Sequence, residues 1–379
     1  MKLKQALKYL PAVLFVGFIS VMFLLWLILP KQHYSAQEKR VLADFPTLNA
    51  ETLFNGNFQK ELDTYLSDHT PARSFFIGLN ADYQLITGRN GQSGIYLGKD
   101  EYLFPKPVKE SENLLRNAQF IKEFADSSDI PVYMTVIPSS GYVNHNKLPL
   151  IHEEYTDDQL IRSFSKALGD KVQYVDSAEP FFEVGDKGQL YYRTDHHWTS
   201  KGAYKCYSLL GNALGYTPLK EESFTKETVT DFYGTSYAKA ALWAIAPDMI
   251  ELWHNKKQPE DSVTVEIRDG ADVKTSHSYF FPDQLRNDDK YPVFLDGNHS
   301  LVTVTNENAE DRTLVVVKDS CAHTIVPFLS QHYRNIIMVD LRYYKKDVSA
   351  LAKEHQAEGV LLLYSLDNLS EDTNLSYLF

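Results

Sequence analysis

The sequence predicts an α/β fold in which helices cover a parallel β-sheet, preceded by an N-terminal transmembrane helix. Apolar strand-like runs alternate with amphipathic helical segments at both ends of the folded part, a rhythm typical of parallel sheets flanked by helices. An uncharged apolar run follows three lysines at the N-terminus. With 44% hydrophobic and 23% charged residues, the composition excludes a disordered or fibrous chain.

The N-terminal apolar run extends from Tyr9 to Pro30. At about twenty residues it has the length of a bilayer-spanning helix and exceeds the core of a usual signal peptide. The preceding lysines favour a cytoplasmic N-terminus. We therefore expect a single-pass protein of the cell membrane, with a tail and signal anchor at 1–30, a stalk at 31–57 and an extracytoplasmic catalytic domain at 58–379. A cleaved signal peptide is the alternative.

The remaining elements follow in order from apolar periodicity and turn residues. Helices are predicted at 58–86, from Ser111 onward, and at 157–168, 200–214, 321–329 and 347–355. A hairpin is predicted at Gly94–Phe104, and strands at 131–138, 172–176, 313–317, 335–340 and 360–365. Between them, the region 216–312 is rich in turn residues and poor in helical patterns, which predicts a β-rich or irregular insertion.

Charge and cysteine content exclude several classes of protein. The 38 Lys+Arg against 50 Asp+Glu give a net charge of -12, so the chain has no general field that attracts nucleic acid. The two cysteines, Cys206 and Cys321, form neither a disulfide framework nor a metal-ligand spacing. A zinc finger and an iron–sulfur protein are thereby excluded. We expect no nucleic-acid partner, no cofactor and no metal.

The first candidate site is the run Asp195-His196-His197-Trp198. On an extended backbone, Asp195 and His197 would point to the same side and His196 to the other. A carboxylate beside an imidazole orients a general base and stabilises its protonated form. Trp198 would shield the histidine from water. A structural histidine is the alternative, whereas metal binding is disfavoured because three successive residues converge poorly on an ion.

The second candidate is Ser320, where an apolar strand ends and a short helix begins. This position places the hydroxyl at the carboxyl edge of the sheet, where open α/β sheets have their sites. Helix N-terminal amides at this position can stabilise an oxyanion. The alternatives are that Ser320 is only an N-cap, or that Cys321 or Ser236 is the nucleophile.

The Asp195–Trp198 motif resembles the defining motif of the DHHW family of bacterial surface proteins. Through it, the chain is similar to the alginate O-acetylation proteins, a branch of the SGNH hydrolase-like fold. The resemblance extends over nearly all of the chain after the anchor, in eight blocks that follow the family's order: EKRVLADFP, LSDHTPARSFF, GIYLGKDEYLF, TVIPSSGYVNHNKLP, TDHHWTSKGAY, FYGTSYAKA, VVVKDSCAHTIVPFL and MVDLRYY.

The resemblance implies an SGNH hydrolase-like parallel sheet with a circularly permuted motif order, because the Asp-x-His precedes the serine. Asp195 matches the orienting carboxylate, His197 the general base and Ser320 the nucleophile. Lys318 stands where typical SGNH enzymes have glycine, and Asp319 is a candidate partner for its charge.

The surroundings of the triad are assigned on the same basis. Candidates for the oxyanion donors are the backbone amide of Ser320 or Cys321 and, in addition, Gly297 and Asn298, whereas Arg342 and Tyr343 are candidates for lining the acceptor groove. Gly297-Asn298 is equally interpreted as a turn. The pair Arg342-Tyr343 is equally interpreted as surface.

The implied function is an outward-facing O-acyltransferase, for which acetyl is the expected acyl group. It would modify a cell-surface or secreted polysaccharide through a serine acyl-enzyme. A multi-pass membrane acyltransferase would be the partner that delivers the acyl group, and this chain has no glycine-rich nucleotide loop of its own. The alternatives are a carbohydrate acetylesterase with the same triad and a non-catalytic glycan-binding or assembly protein.

Overall fold

The computed structural model describes residues 2–259 and 262–379. The helices are α1 Lys2–Ile28, α2 Ala50–Phe54, α3 Asn57–Asp68, α4 Arg73–Ile86, α5 Glu112–Ser127, α6 Ser140–Val143, α7 Asp157–Ala167, α8 Ala178–Val184, α9 Ser200–Leu214, α10 Thr235–Ala240, α11 Val326–Leu329, α12 Val348–Glu354 and α13 Leu366–Glu371. The strands are β1 Tyr34–Ser35, β2 Arg40–Val41, β3 Gly91–Gln92, β4 Ile95–Leu97, β5 Leu103–Pro105, β6 Val132–Ile137, β7 Val172–Tyr174, β8 Phe224–Phe232, β9 Asp248–Asn255, β10 Val263–Asp269, β11 Asp272–Ser276, β12 Leu301–Asn306, β13 Thr313–Lys318, β14 Asn335–Val339 and β15 Gly359–Ser365.

The chain divides into two compact units. The smaller comprises residues 1–89 with 241–243, and the larger comprises 90–240 with 244–379. Within the smaller unit, the region expected to be a stalk contains the hairpin β1–β2 and helix α2. In the described part of the chain, α1 is the one helix long and apolar enough to cross a bilayer, over Lys8–Ile28.

The centre of the larger unit is an eight-stranded mixed sheet with the order β11-β10-β12-β14-β13-β15-β6-β7. Strands β14, β13, β15, β6 and β7 are parallel, as the sequence predicts. The expectation of a purely parallel sheet is wrong, because β12, β10 and β11 continue it antiparallel. The tight connection of β10 to β11 through Gly270, at φ +64°, permits only an antiparallel pair.

The parallel strands other than the edge strand β7 are buried on both faces, which explains their continuous apolar runs. In β13, Leu314 and Val316 join one core, whereas Val315 and Val317 join the other. Helix α9 packs in the first core, and helices α5, α7 and α12 pack in the second. By contrast, β10 alternates buried and half-buried residues and is rich in polar side chains. That pattern is typical of an antiparallel strand near a sheet edge, whereas the turn-rich sequence of the region predicts an insertion.

Most of the predicted elements are confirmed. Ser111 and Thr199 are the N-caps of α5 and α9. The hairpin at 94–104 pairs β4 with β5 through a 3₁₀ turn. The predicted helix at 58–86 is two helices, α3 and α4, which are separated by a short break that contains Pro71. Proline lacks an amide hydrogen and disfavours helical backbone at the residue before it, so the break is expected at that position.

Candidate active site

The three residues of the predicted triad lie in hydrogen-bond contact. His197 Nδ1 is 2.5 Å from Asp195 Oδ1, and His197 Nε2 is 2.7 Å from Ser320 Oγ. The serine and the histidine are 123 positions apart in the chain. All three side chains are largely buried, with Ser320 the most open at 9% exposure. The arrangement can draw the proton from the serine hydroxyl to the imidazole while the carboxylate holds the imidazole in place.

Asp195 is held by three donors besides the imidazole contact. Its Oδ1 accepts the backbone N–H of His197 at 2.9 Å. Its Oδ2 accepts the backbone N–H of Thr235 at 2.6 Å and the Thr235 hydroxyl at 3.1 Å. Burial alone would raise the pKa of Asp195, but the neighbouring imidazoles and these hydrogen bonds hold it well below its usual range. The side chain is therefore a carboxylate at neutral pH.

The residue before Thr235 must be small. A Cβ on Gly234 would lie 2.2 Å from the Cβ of Asp195 and 2.4 Å from its Oδ2. Gly234 and Thr235 lie in the connection between β8 and β9, within the region expected to be an insertion. That region thus supplies direct supports of the site, which sequence reasoning missed.

Ser320 is positioned by the end of strand β13. The strand ends at Lys318, and a 3₁₀ helix begins at Ser320 with Asp319 as its N-cap. Asp319 Oδ1 accepts the N–H of Cys321 at 2.9 Å, and its Oδ2 accepts both the N–H and the hydroxyl of Ser365 at 2.8 and 2.7 Å. Ser365 ends the neighbouring parallel strand β15, so the serine is fixed at the carboxyl edge of the sheet, as predicted.

Lys318 takes part in a buried charge network. Its Nζ lies 3.1 Å from Asp340 Oδ2 and 2.8 Å from His323 Nε2. Arg342 binds the same carboxylate through Nε at 2.9 Å and Nη2 at 2.6 Å. The charge expected to pair with Asp319 pairs with Asp340 instead, because Asp340 follows the adjacent strand β14 at the same edge. Burial lowers the pKa of Lys318, and the Asp340 carboxylate opposes that shift.

An aromatic ring other than the predicted one covers His197. Tyr291 stacks on the imidazole with ring centroids 3.8 Å apart and an interplanar angle of 10°, and its hydroxyl donates to Ser320 O at 3.2 Å. Trp198, expected to shield the histidine, instead donates its Nε1–H to Cys321 O and Thr324 Oγ1. Trp198 thus ties the histidine segment to the serine turn. No sequence pattern singled out Tyr291, which lies between turn residues.

His196 does not point away from the other two residues. Its ring centroid is 3.9 Å from that of His197, and its Nδ1 is 3.4 Å from Asp195 Oδ1. The expectation of an extended strand is wrong because the segment bends, and Asp195 folds back onto the N–H of His197. The ligand atoms of these three residues lie within 4.8 Å of one another. They are engaged in hydrogen bonds to one another and to Thr235 and Ser320.

The other predicted residues occupy the rim of the same edge. Asn298 Oδ1 accepts from Arg342 Nη2 at 3.0 Å, which joins it to the Asp340 network. Gly297 has φ +95° and donates its N–H to Phe294 O, the geometry of a turn. Tyr343 is 55% exposed. Of the two amides proposed as oxyanion donors, that of Cys321 already donates to Asp319, which leaves that of Ser320.

The two alternative nucleophiles have different surroundings. Cys321 is buried, and this burial raises the pKa of its thiol well above the usual range, so the reactive thiolate is disfavoured. Ser236 was expected in a loop but lies in helix α10, with 1% of its surface exposed. Neither has the imidazole contact that Ser320 has.

The DHHW resemblance is confirmed by comparison with known proteins. A family model described as "DHHW protein" matches residues 182–339. The curated relative "Probable alginate O-acetylase AlgJ" from Pseudomonas fluorescens is 24% identical over 349 residues, which cover 88% of this chain and 82% of that protein.

Two solved structures show that the fold is shared. A DHHW family protein from Eubacterium siraeum is 22% identical with a TM-score of 0.64, covering 76% of this chain and 95% of that one. Bacillus cereus PatB1, solved with a sulfonyl adduct, is 23% identical with a TM-score of 0.63, covering 73% of this chain and 96% of that one.

Proposed function

We propose that this chain is an O-acetyltransferase that modifies a polysaccharide through a serine acyl-enzyme. The observation that carries the proposal is the continuous contact from Asp195 through His197 to Ser320. The description of the Pseudomonas fluorescens relative as an alginate O-acetylase supports acetyl transfer to a polysaccharide. The order of the triad residues, with Asp-x-His before the serine, fits an SGNH hydrolase-like site with permuted motifs.

In the first half-reaction, Ser320 Oγ attacks the acetyl carbonyl as its proton moves to His197 Nε2. The tetrahedral oxyanion is stabilised by the Ser320 amide at the start of the 3₁₀ helix. When the carbon–oxygen bond of the donor breaks, the imidazolium returns the proton to the leaving oxygen. Throughout this step, Asp195 stabilises the imidazolium and fixes its orientation.

In the second half-reaction, a sugar hydroxyl attacks the acetyl carbon of the acyl-enzyme. Its proton moves to His197 Nε2 and then to Ser320 Oγ as the acyl bond to the serine breaks. The stacked ring of Tyr291 and the burial of His197 keep bulk water from the base, which favours an alcohol over water as the acceptor.

The cellular arrangement follows from the N-terminus. Helix α1 is proposed as a single-pass anchor that holds the site outside the cytoplasm, with the lysines before it on the cytoplasmic side. An outward-facing site has no access to cytoplasmic acetyl-coenzyme A. A multi-pass membrane acyltransferase is therefore the proposed donor partner.

The test is a burst assay on the full chain in detergent with p-nitrophenyl acetate. We expect a stoichiometric burst of p-nitrophenol and an acetyl adduct on the Ser320 peptide by mass spectrometry. Ser320→Ala and His197→Ala should abolish the burst, whereas Ser163→Ala, at an exposed position of α7, should keep it.

Three other outcomes would contradict the proposal in different ways. An intact burst in Ser320→Ala with its loss in Cys321→Ala would move the nucleophile to the thiol. An adduct that passes only to water, never to an added polyol, would identify an esterase. A folded protein with neither burst nor adduct would identify a non-catalytic glycan-binding protein.

A further inference from the structure

The hydrogen bonds of His196 fix its tautomer. Its Nδ1 lies 2.7 Å from Thr235 Oγ1, and the same hydroxyl lies 3.1 Å from Asp195 Oδ2. A carboxylate only accepts, so the single hydroxyl proton of Thr235 is donated to Asp195. Nδ1 of His196 must therefore carry a proton and donate it to Thr235. The 3.4 Å approach of Nδ1 to Asp195 Oδ1 agrees, because a lone pair there would be repelled.

The other ring nitrogen, Nε2, is consequently a bare acceptor. In the described part of the chain it makes no hydrogen bond, and the side chain is 27% exposed. Burial and the neighbouring His197 lower the pKa of His196 to about 4, so the ring is neutral at pH 7. As an acceptor, this nitrogen can bind a group that donates a hydrogen bond, such as a hydroxyl, but not the carbonyl oxygen of an acyl donor.

His196 also lines a cavity of about 600 Å³ in the larger unit. The cavity walls include Lys239, Asp367 and Asn368, whose side chains suit a ligand rich in hydroxyl groups. Two of the lining residues contact the site: the His196 ring is 3.9 Å from that of His197, and Asn368 donates to Asp319, the residue before Ser320, at 2.8 Å. The cavity therefore lies on the side of the base, with the His196 ring between it and His197.

We propose that this cavity is the acceptor site and that His196 Nε2 binds the hydroxyl next to the one that is acetylated, so that the acceptor is a vicinal diol of a sugar. This inference rests on the proposed function. The attacking hydroxyl gives its proton to His197 Nε2, so it cannot also be the hydroxyl bound by His196. The two imidazole rings have centroids 3.9 Å apart at an interplanar angle of 37°, and Nδ1 of each lies near Asp195 Oδ1, so the two Nε2 atoms can receive two hydroxyls on adjacent carbons. His196 is then a positioning residue for the second half-reaction and takes no proton itself.

The test measures how the acetyl-enzyme divides between alcohols. The full chain in detergent is acetylated with p-nitrophenyl acetate in the presence of 1,2-propanediol, 1,3-propanediol or 1-propanol, and the esters are quantified against free acetate. We expect the 1,2-diol to be preferred over the other two by about threefold to tenfold, the effect of one hydrogen bond. His196→Asn keeps a donor near Thr235 but removes Nε2, so the ratio of the 1,2-diol ester to the other two esters, measured on the acetyl-enzyme that the variant forms, should fall to equality. His196→Gln, which can place an oxygen near the position of Nε2, should restore part of it.

Each failure has a separate meaning. A wild-type burst with equal transfer to the three alcohols, or with no transfer to any, overturns the acceptor assignment and leaves the acyl-enzyme intact. Loss of the burst in both His196→Asn and His196→Ala would also overturn it, because His196 would then act on the nucleophile. The absence of a wild-type burst refutes the proposed function itself. Independently, ¹⁵N shifts of the histidine-labelled full chain that show a protonated Nε2 on His196 would overturn the assignment.

Discussion

Two segments meet at the site, and they are held in different ways. The serine arm, Lys318–Thr324, continues strand β13 and is anchored to strand β15 through Asp319 and Ser365. The histidine arm, Arg193–Trp198, lies outside the central sheet and is held by side chains and amides of the connection 233–248. The sheet thus sets the position of the serine arm, whereas the position of the histidine arm depends on contacts with residues that are distant in sequence.

This difference determines which contacts each arm needs to keep its position. Asp248 accepts the N–H and the hydroxyl of Thr194 at 2.7 Å each, and Thr194 in turn accepts the N–H of Gly234. A small displacement of the 233–248 connection therefore moves the carboxylate of Asp195 directly. In the serine arm, a substitution displaces Ser320 only if it first breaks the hydrogen bonds of buried polar groups at the sheet edge.

The largest effect is expected from Gly234→Ala, which disrupts the packing of the histidine arm. The new Cβ would meet the Cβ of Asp195 at 2.2 Å, so either the backbone or the carboxylate must move. Displacing the orienting carboxylate should lower the rate of acyl-enzyme formation by about 10²-fold or more. Gly17→Ala is the matched control, since a Cβ there meets nothing within 4 Å. An unchanged burst in Gly234→Ala would show that the packing against Asp195 is not needed.

The same contrast explains what the sequence could predict. Ser320 was placed correctly because a strand, an N-cap and a helix are local patterns. The roles of Gly234 and Tyr291 could not be predicted, since a close approach and a ring stack depend on segments that lie far apart in sequence. The extended geometry assumed for Asp195–His197 was wrong for a related reason: long-range hydrogen bonds from Thr235 bend that segment. Likewise, the antiparallel half of the sheet comes from polar strands whose pairing partners local patterns do not reveal.

The next effect is a loss of stability when the buried ion pairs of Lys318 and Arg342 with Asp340 are broken. Asp340→Ala leaves Lys318 buried without its carboxylate and should lower the free energy of unfolding by about 3–5 kcal/mol. Lys318→Met should cost about 1 kcal/mol or less, because Arg342 still binds Asp340 through two bonds. Urea unfolding of both variants measures the difference. Equal losses would contradict the view that Arg342 is sufficient to compensate the buried carboxylate.

A smaller loss of stability is expected for Asp319→Asn, which tests the contacts within the serine arm. The amide retains one oxygen but cannot accept on both sides of the carboxylate, so the bonds to Cys321 N–H or to Ser365 and Asn368 are lost. We expect a decrease of about 2 kcal/mol in the free energy of unfolding, together with a slower burst. The control is Asp311→Asn, whose side chain is 85% exposed and should change stability by less than about 0.5 kcal/mol. A slower burst with unchanged stability would mean that Asp319 acts on the chemistry alone.

The smallest effect is a pH dependence that belongs to the histidine arm. The pKa of His196 is lowered from 6.5 to about 4 by burial and by His197, so below pH 6.5 the unfolded chain binds a proton that the folded chain does not. This contribution to stability is complete above pH 6.5, declines as the pH falls towards 4, and is constant below that. His196→Asn removes it, so the loss of stability between pH 7 and pH 5.5 should be smaller in the variant than in the wild type by about 1 kcal/mol. The variant difference is needed because His332 acts in the same direction, whereas Asp367, with its pKa raised to about 7 by burial, acts in the opposite one.

The control is His33→Asn, at an exposed histidine, which should leave the dependence of stability on pH unchanged from the wild type. Identical pH dependences for His196→Asn and wild type would show that His196 is not kept neutral by its surroundings.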